Sequence, residues 1–313
     1  MSEGILLGLF HVLVFPGLLF TAVAGLLVSW ADRKVTARLQ WRVGPPLLQP
    51  FYDFVKLLGK ETVVPAGGSR LAFLAAPLIG LAGATLAATL IGMAILRPDG
   101  GFTGDLIVLV YLLVLPSLAV ILGAAASRNP LASVGASREM KLLLSYELPF
   151  VLALLVPVIK SGGLLKLGDL LAAQAAHGAF ARSPSGIVAL LAAIPCMQAK
   201  LALVPFDQAE AETEIMSGAF IEYAGAPLAL FKLTKAMMLF VVPMFLVAML
   251  WGGFGQSAAS VALGVGKYLV LLVVAILLRN TNPRLRIEHV MKFFWGPVTA
   301  VALLAAALAA FGV

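Results

Sequence analysis

The residues with the most chemistry to offer lie between Val204 and Lys235, in VPFDQAEAETEIMSGAFIEYAGAPLALFKLTK. Five of the chain's 15 acidic residues, Asp207, Glu210, Glu212, Glu214 and Glu222, stand there between two strongly apolar runs. Carboxylates beside or inside lipid are expensive unless hydrated, paired or protonated, so they mark ion paths or partner contacts. Read as a helix, residues 207–222 put Asp207, Glu210 and Glu214 on one face by their three- and four-residue spacing, with Glu212 pointing elsewhere. Like charges at those intervals repel, and where water is scarce neighbours share protons, which makes a relay. Lys232 and Lys235 follow in an otherwise apolar run, either to neutralise these acids or to serve as the next proton stations. A Lys near a helix end can also simply snorkel to the interface. A further acid, Glu147 in LLLSYELPF, lies about six residues past Lys141, or about 9 Å at helical rise, inside the expected hydrocarbon boundary. Pro149 and Pro157 follow it and can loosen the backbone; the plainer reading is an acid paired with a basic or tyrosine neighbour.

The elements that must hold these groups follow from composition. With 61% hydrophobic and 12% charged residues over 313 positions and a mean hydropathy of +1.03, the chain has too little polar surface to cover a soluble globule. The expectation is one all-α, polytopic membrane domain over 1–313. About 20 apolar residues cross a bilayer as helix, and the hydropathy predicts about eight spans: 5–30, 71–96, 104–126, 141–160, 186–204, 219–250, 264–279 and 296–312. The first run is longer than the core of a cleavable signal and has its basic residues after it, so it reads as a retained span. Odd-numbered connectors hold 15 Lys and Arg and even-numbered ones five, which places the odd connectors in the cytoplasm and both termini outside.

The first connector is more than a loop. After Pro50, Phe51, Phe54, Val55 and Leu58 recur at helical spacing opposite Asp53, Lys56 and Lys60, predicting an amphipathic surface helix over about 50–60. Such a helix either rests on lipid headgroups or forms a seam against a soluble partner. The density of Arg33, Lys34, Arg38 and Arg42 just upstream favours the seam. Between spans three and four, SRNPLASVGASRE supplies Arg128, Arg138 and Glu139 in a predicted turn.

Other chemistries are set aside. The net charge of +7 resides in Lys and Arg between apolar spans, not in a basic folded module for nucleic acid. One cysteine, Cys196, builds neither an iron–sulfur cluster nor a Cys-rich metal site and reads as a buried structural thiol. His11, His177 and His289 are scattered, so no metal site is expected, and no phosphate loop or nucleophile elbow stands out. No internal repeat of the kind many secondary transporters carry is visible.

ADRKVTARLQWRVGPPLLQPFYDFVKLLGKETVVP (31–65), SYE (145–147), PFDQAEAETEIMSGAFIEYAG (205–225) and TNPRLRIEHVMKFFW (281–295) together resemble the membrane subunit shared by respiratory complex I and the membrane-bound, energy-converting nickel–iron hydrogenases. Within that superfamily the details look like the Ech-type and carbon-monoxide-dehydrogenase-linked hydrogenases. Arg42-Val43-Gly44-Pro45-Pro46 runs straight into Leu47-Leu48-Gln49-Pro50, where complex I members usually have a longer segment. Asp32 replaces their usual Glu, and Lys232 and Lys235 lie where they tend to be uncharged or acidic.

The resemblance implies a non-redox subunit of an oxidoreductase complex in the cytoplasmic (inner) membrane of a bacterium or archaeon. It would have no cofactor of its own. The NiFe centre and 4Fe–4S clusters would belong to the hydrogenase large and small subunits and an iron–sulfur subunit, ferredoxin would supply electrons to the soluble arm, and an antiporter-like membrane subunit would lie alongside. Glu147, Asp207, Glu210, Glu212, Glu214 and Glu222, with Lys232 and Lys235, would form the proton path. Arg33, Arg38, Arg42, Asp53, Lys56 and Arg138 would hold the soluble arm. Two other readings stay open: the equivalent subunit of a quinone-reducing complex I, and a self-sufficient secondary transporter.

Overall fold

A computed structural model describes residues 2–255 and 257–313. Among them every regular element is helical. Seven helical stretches are long and apolar enough to span a bilayer, and an eighth, Pro184–Lys200, is shorter. The chain is thus an all-α, polytopic membrane protein, with several span boundaries shifted from expectation.

The first span is bent: α1 (Ser2–Leu13) and α2 (Leu18–Leu39) are separated by a break at 14–17, and α2 runs nine residues past the predicted end at 30. A short amphipathic helix, α3 (Gln49–Leu58), lies where expected. Its Phe51 and Phe54 pack on the core, whereas Val55 and Leu58 stay exposed. α4 (Arg70–Leu96) is continuous, while the third span is two helices, α5 (Asp105–Leu112) and α6 (Leu115–Ala126). α7 (Pro130–Lys160) begins eleven residues before the predicted 141. Asn129 caps it through its side chain, which accepts from Leu131 N, and Pro130 takes the first turn, a start signal that the hydropathy reading passes over.

α8 (Leu167–His177) fills a connector where no element was expected, and α9 (Pro184–Lys200) is the short apolar helix. The acidic stretch is not the predicted helix: only the single turn α10 (Glu212–Ile215) and a 3₁₀ turn, Gly218–Phe220, interrupt otherwise irregular chain between 201 and 224. α11 accordingly starts at Gly225 rather than 219 and runs to Leu250. α12 (Ala258–Thr281) follows, then a last span made of α13 (Ile287–Phe293), a π turn and α14 (Thr299–Ala310).

α11 is the central helix: 83% of its most apolar window is buried, against 56% or less in every other span. Its C-terminal part, from Ala236 to Leu250, lies in the middle of the bundle, while Lys232 nearer its start is exposed. Close approach is permitted by small residues, as is usual between membrane helices. A Cβ at Gly25 of α2 would lie 2.6 Å from the carbonyl oxygen of Ala236 in α11, so only glycine allows these two backbones to touch. Gly135 of α7 does the same for the acidic loop, where a Cβ would meet Ala219 N at 2.6 Å and Ala209 O at 2.9 Å.

Irregular backbone at membrane depth must be satisfied from within the protein. Gln208 Nε2 donates to Leu285 O at 2.7 Å, Gln198 Nε2 to Val204 O at 2.7 Å, and Leu285 N to Pro205 O at 3.3 Å. The loop is thereby tied to α9 and to the segment after α12.

Candidate functional site

The acids of the loop do not stack on one another. Four of the five are taken by different partners. Asp207 pairs with Arg284, and Glu210 Oε1 with Lys235 Nζ at 2.7 Å. Glu214 Oε2 pairs with Arg138 Nη1 at 2.5 Å, and Glu222 Oε1 accepts from Asn129 Nδ2 at 2.6 Å. Glu212 is exposed. The predicted single-face relay of Asp207, Glu210 and Glu214 is therefore replaced by three ion pairs, directed to the segment after α12, to α11 and to α7, because opposite charges supplied by tertiary contacts outweigh a helical register that would have set like charges side by side. Glu214 and Arg138, expected in different roles, hold each other at the surface with side chains 44% and 23% exposed.

Two further pairs lie deeper. Lys200 Nζ, at the last residue of α9, donates to Glu147 Oε2 at 3.0 Å and lies 5.0 Å and 4.8 Å from the ring centres of Tyr146 and Phe150. Its side chain is fully buried. Lys200 is thus a core cation, although it is one of the 15 charges counted for the odd-numbered connectors. Arg279 Nη1 at the end of α12 donates to Asp32 Oδ2 of α2 at 2.6 Å.

Glu139, read from sequence as part of a turn, lies inside α7 and is 2% exposed. No cation lies within ion-pair distance of it among the described residues. Tyr146, seven residues on and so on the same face of α7, is fully buried. Ser117 of α6 stands beside both. The Glu139 Oε2, Tyr146 Oη and Glu147 Oε1 atoms are buried without a hydrogen-bond partner in the chain, as are Asp32 Oδ1 and Asp207 Oδ1. Buried polar atoms are ordinarily satisfied, so the orphaned Glu139 Oε2 and Tyr146 Oη on one face of α7 mark a place for water or a shared proton.

The space for them is present. A cavity of about 60 Å³ is lined by Ser117, Glu139, Lys200, Glu210, Thr234 and Lys235. That exceeds the roughly 10–15 Å³ needed per water, and its lining supplies polar partners. A second, more polar cavity of about 250 Å³ is lined by Asp32, Arg33, Glu210, Lys232, Lys235 and Arg279. Glu210, Lys235 and Leu201 line both, so the ion pair stands in the wall the two cavities share. On the other side of α7, Glu147 also lines a crevice of about 240 Å³ against Leu106, Val110 and Tyr111 of α5. Taken in order, the polar groups run from Asp32 and Arg279, past Glu210 and Lys235, to Glu139, Tyr146, Lys200 and Glu147.

The loop acids respond to this setting in opposite directions. Burial acts most strongly on Glu210, pushing it up, but the Lys235 charge and hydrogen bond, helped by Arg279 and Arg284, more than reverse it and hold the carboxyl below its ordinary 4.5. Burial is also the largest influence on Asp207, and there it outweighs Arg284, so that carboxyl is raised from its ordinary 3.8. For Glu210 the lowered value means that its stabilising charge is fully in place above pH 4.5 and is lost only as the pH falls through the depressed value. Glu210→Gln is accordingly expected to lower the thermal midpoint at pH 7, with the gap to the wild type closing below pH 4.5. A constant gap in thermal melts from pH 7 to 3.5 would show that the pair does not contribute in this way.

The residues expected to dock a soluble arm divide. Arg33 and Asp53 pair with each other at 2.9 Å, pinning α3 to α2, and Gln49 Nε2 also donates to Asp53 at 2.8 Å. These contacts, though working against desolvation, leave Asp53 below its ordinary value of 3.8. Arg38, Arg42 and Lys56 are exposed, and Trp41 between the two arginines is 98% exposed. Trp41 also has a φ of 59°, an unusual conformation for a non-glycine residue, which presents the indole outward. Among the described residues no group of three or more His, Cys, Asp or Glu side chains is arranged to hold a metal ion. Asp32, Glu139, Lys200, Arg279 and Arg284 belong to the site and were not singled out for it from sequence. For Glu139 the Asn129-Pro130 start signal, had it been followed, would have drawn it into the span.

The arrangement has known counterparts. The family model described as NADH dehydrogenase matches residues 11–310. The H subunit of NADH-quinone oxidoreductase from Thermomicrobium roseum is 35% identical over 302 residues, covering 88% of each chain. The same-named protein of Anoxybacillus flavithermus is 34% identical over 293 residues, covering 87% of this chain and 84% of that one. A chain in the solved structure of the membrane-bound sulfane sulfur reductase, an archaeal respiratory membrane complex, superposes with a TM-score of 0.80 at 28% identity, covering 96% of this chain and 99% of its own. This chain, with its buried string of acids and bases between helices, belongs to the NADH dehydrogenase family, as the kind of membrane subunit found in NADH-quinone oxidoreductase-like complexes.

Proposed function

We propose that this chain is the ion-coupling subunit of a complex I-like respiratory oxidoreductase, converting redox events in a soluble arm docked over residues 31–65 into proton, or Na⁺, movement through the membrane. The observation that carries the reading is the Glu210–Lys235 pair standing in the wall that two cavities share. A change of charge at the docked arm is felt first at the larger cavity, through Asp32, Arg33 and Arg279. It alters the balance of the pair and so the proton affinity of Glu139 beyond it. The scale is adequate: a shift of one pKa unit is about 1.4 kcal/mol, and moving one charge against 100 mV takes about 2.3 kcal/mol. Two units in one carboxyl therefore match one proton. From Glu147 the route leaves through the crevice against α5, where an adjacent antiporter-like membrane subunit would receive it.

For the electron acceptor, the relatives' names favour a quinone-reducing complex. A ferredoxin-dependent, proton-reducing hydrogenase is the second reading, favoured by the short Arg42–Pro50 connection and by Asp32 in place of Glu. In that case the NiFe centre and iron–sulfur clusters reside in the large, small and iron–sulfur subunits. The test is the intact complex in proteoliposomes. NADH-driven quinone reduction with ion uptake supports the first acceptor, and hydrogen evolution from reduced ferredoxin with ion uptake supports the second. Ion transport by this chain alone, without redox partners, would overturn both and indicate a secondary transporter.

Docking has its own test. Trp41→Ala together with Arg42→Ala is expected to reduce co-purification of the soluble arm about tenfold or more, since exposed aromatic and arginine anchors dominate interfaces. Unchanged recovery of the arm would remove this loop from the docking surface.

A further inference from the structure

The last span carries a feature that the route from Glu210 to Glu147 does not use. Pro297 has no backbone N–H to donate to Phe293 O, and the helix widens there into the π turn Phe294–Val298. Thr299 closes the turn: its hydroxyl donates to Phe294 O, five residues back, at 2.7 Å. Although this span is only 28% buried over its most apolar window, Phe294 is fully buried. Its ring reaches inward to Phe206 and to Tyr146, with centroids 4.9 Å and 6.4 Å away. Both separations lie in the range where aromatic pairs attract.

The two contacts join the acidic loop to the buried end of the route. Side chains on a helix lean toward its N-terminus, so Tyr146 leans along α7 toward Glu139, and Ser117 stands beside both. The Tyr146 hydroxyl is buried without a hydrogen-bond partner in the chain. A tyrosine turns about only two bonds, and with no hydrogen bond to anchor it the direction of its hydroxyl is set by what packs on the ring. Lys200 Nζ lies 5.0 Å from that ring centre, and Phe294 meets the ring in a T-shaped contact with the planes at 68°. Phe206, on the other side of Phe294, directly precedes Asp207. Three contacts fasten the loop to the segment that leads into the π turn: Asp207 with Arg284, Gln208 Nε2 on Leu285 O at 2.7 Å, and Phe206 against Phe293 at 6.0 Å. A shift of the loop therefore takes residues 284–294 with it, and Phe294 passes the shift to Tyr146.

We propose that Phe294, held in the π turn by Thr299, is a positioning residue for Tyr146, and that it sets the direction of the Tyr146 hydroxyl toward Glu139 according to the position of the acidic loop. This role rests on the proposed route through Glu139, and adds a steric step to the charge-mediated one at Glu210 and Lys235. Packed rings suit the task, because a close-packed interior transmits a displacement instead of absorbing it.

Ion uptake by the intact complex in proteoliposomes is measured beside electron transfer to a dye, for Phe294→Leu and Phe206→Leu, each made in the wild type and in Tyr146→Phe. In the wild-type background each is expected to cut ion uptake about tenfold with dye reduction unchanged, since a small misplacement of a reacting group is costly. In Tyr146→Phe, which is itself low, neither should lower uptake further, whereas side chains that merely fill the core would multiply their losses. Thr299→Val, equal in size but without the hydroxyl, should lose about threefold, the worth of one hydrogen bond, and Thr299→Ser should keep the wild-type rate. Normal uptake in Phe294→Leu or in Tyr146→Phe, multiplied losses in the double variants, or equal rates in Thr299→Val and Thr299→Ser overturns the proposal. Should Phe294→Leu fail to assemble, the Thr299 pair decides. Glu139→Gln tells the two levels apart: normal coupling there removes the route itself, while a loss there beside normal coupling in Phe294→Leu removes only the role of Phe294.

Discussion

Lys200→Met is expected to destabilise the protein by about 2–4 kcal/mol, because it leaves the Glu147 carboxylate without its partner in a mostly apolar surround. Breaking a buried pair from one side strands a charge, whereas removing both sides does not. The double variant Lys200→Met, Glu147→Leu should therefore recover most of the loss. Lys200 also lies over the rings of Tyr146 and Phe150, so part of the single-variant effect is the lost cation–aromatic contact, which the double variant does not restore. The measurement is thermal unfolding of the purified complex, scored by retention of this subunit. A single variant as stable as the wild type would mean that the pair is not formed, and with it the last step of the route from Glu139 to Glu147 would lose its basis.

Glu139→Gln is expected to separate electron transfer from ion movement. The amide preserves the size of the side chain in the 60 Å³ cavity but cannot take up or release a proton. The complex should assemble and pass electrons to a dye at the normal rate, while ion uptake into proteoliposomes falls tenfold or more. Loss of a proton-transfer group is commonly worth two to four orders of magnitude, and a parallel water route past Ser117 and Thr234 would moderate this. Glu214→Gln provides the contrast. That acid is 44% exposed and paired with Arg138 at the surface, so coupled rates within about twofold of the wild type are expected for an exposed pair. Equal loss in both variants would place the route along the loop surface, and normal coupling in Glu139→Gln would remove that residue from it.

These expectations differ from those that the residue spacing alone suggests, and the difference has a physical origin. The 3.6-residue period is a local property, so the apolar runs, the amphipathic character of α3 and the clustering of acids before α11 could all be read directly. Membrane insertion made this reading robust, since hydrocarbon admits only long apolar helices and leaves few alternatives. Glu147 was placed at membrane depth by counting residues from Lys141, and the structure has it near the middle of the longer helix α7, lining a crevice beside α5. The helical reading of 207–222 failed because that segment is held by Gln208 on Leu285, Asp207 on Arg284 and Glu210 on Lys235. All three partners are more than 20 residues away, and no periodicity encodes them.

The amino-acid sequence by itself determined that this chain lives in a membrane as a helical bundle, that its acids collect on one connector, and which family it resembles. Hydrophobic content and motif order are sums over local choices. Only the tertiary structure decided which acid meets which base. It showed that Lys200 is a core cation and not a loop charge, that Glu139 belongs to the interior, and that Glu210 and Lys235 stand in the wall two cavities share. Ion pairing in a low-dielectric interior depends on separations of a few ångströms between residues far apart in the chain, and only helix packing fixes such distances.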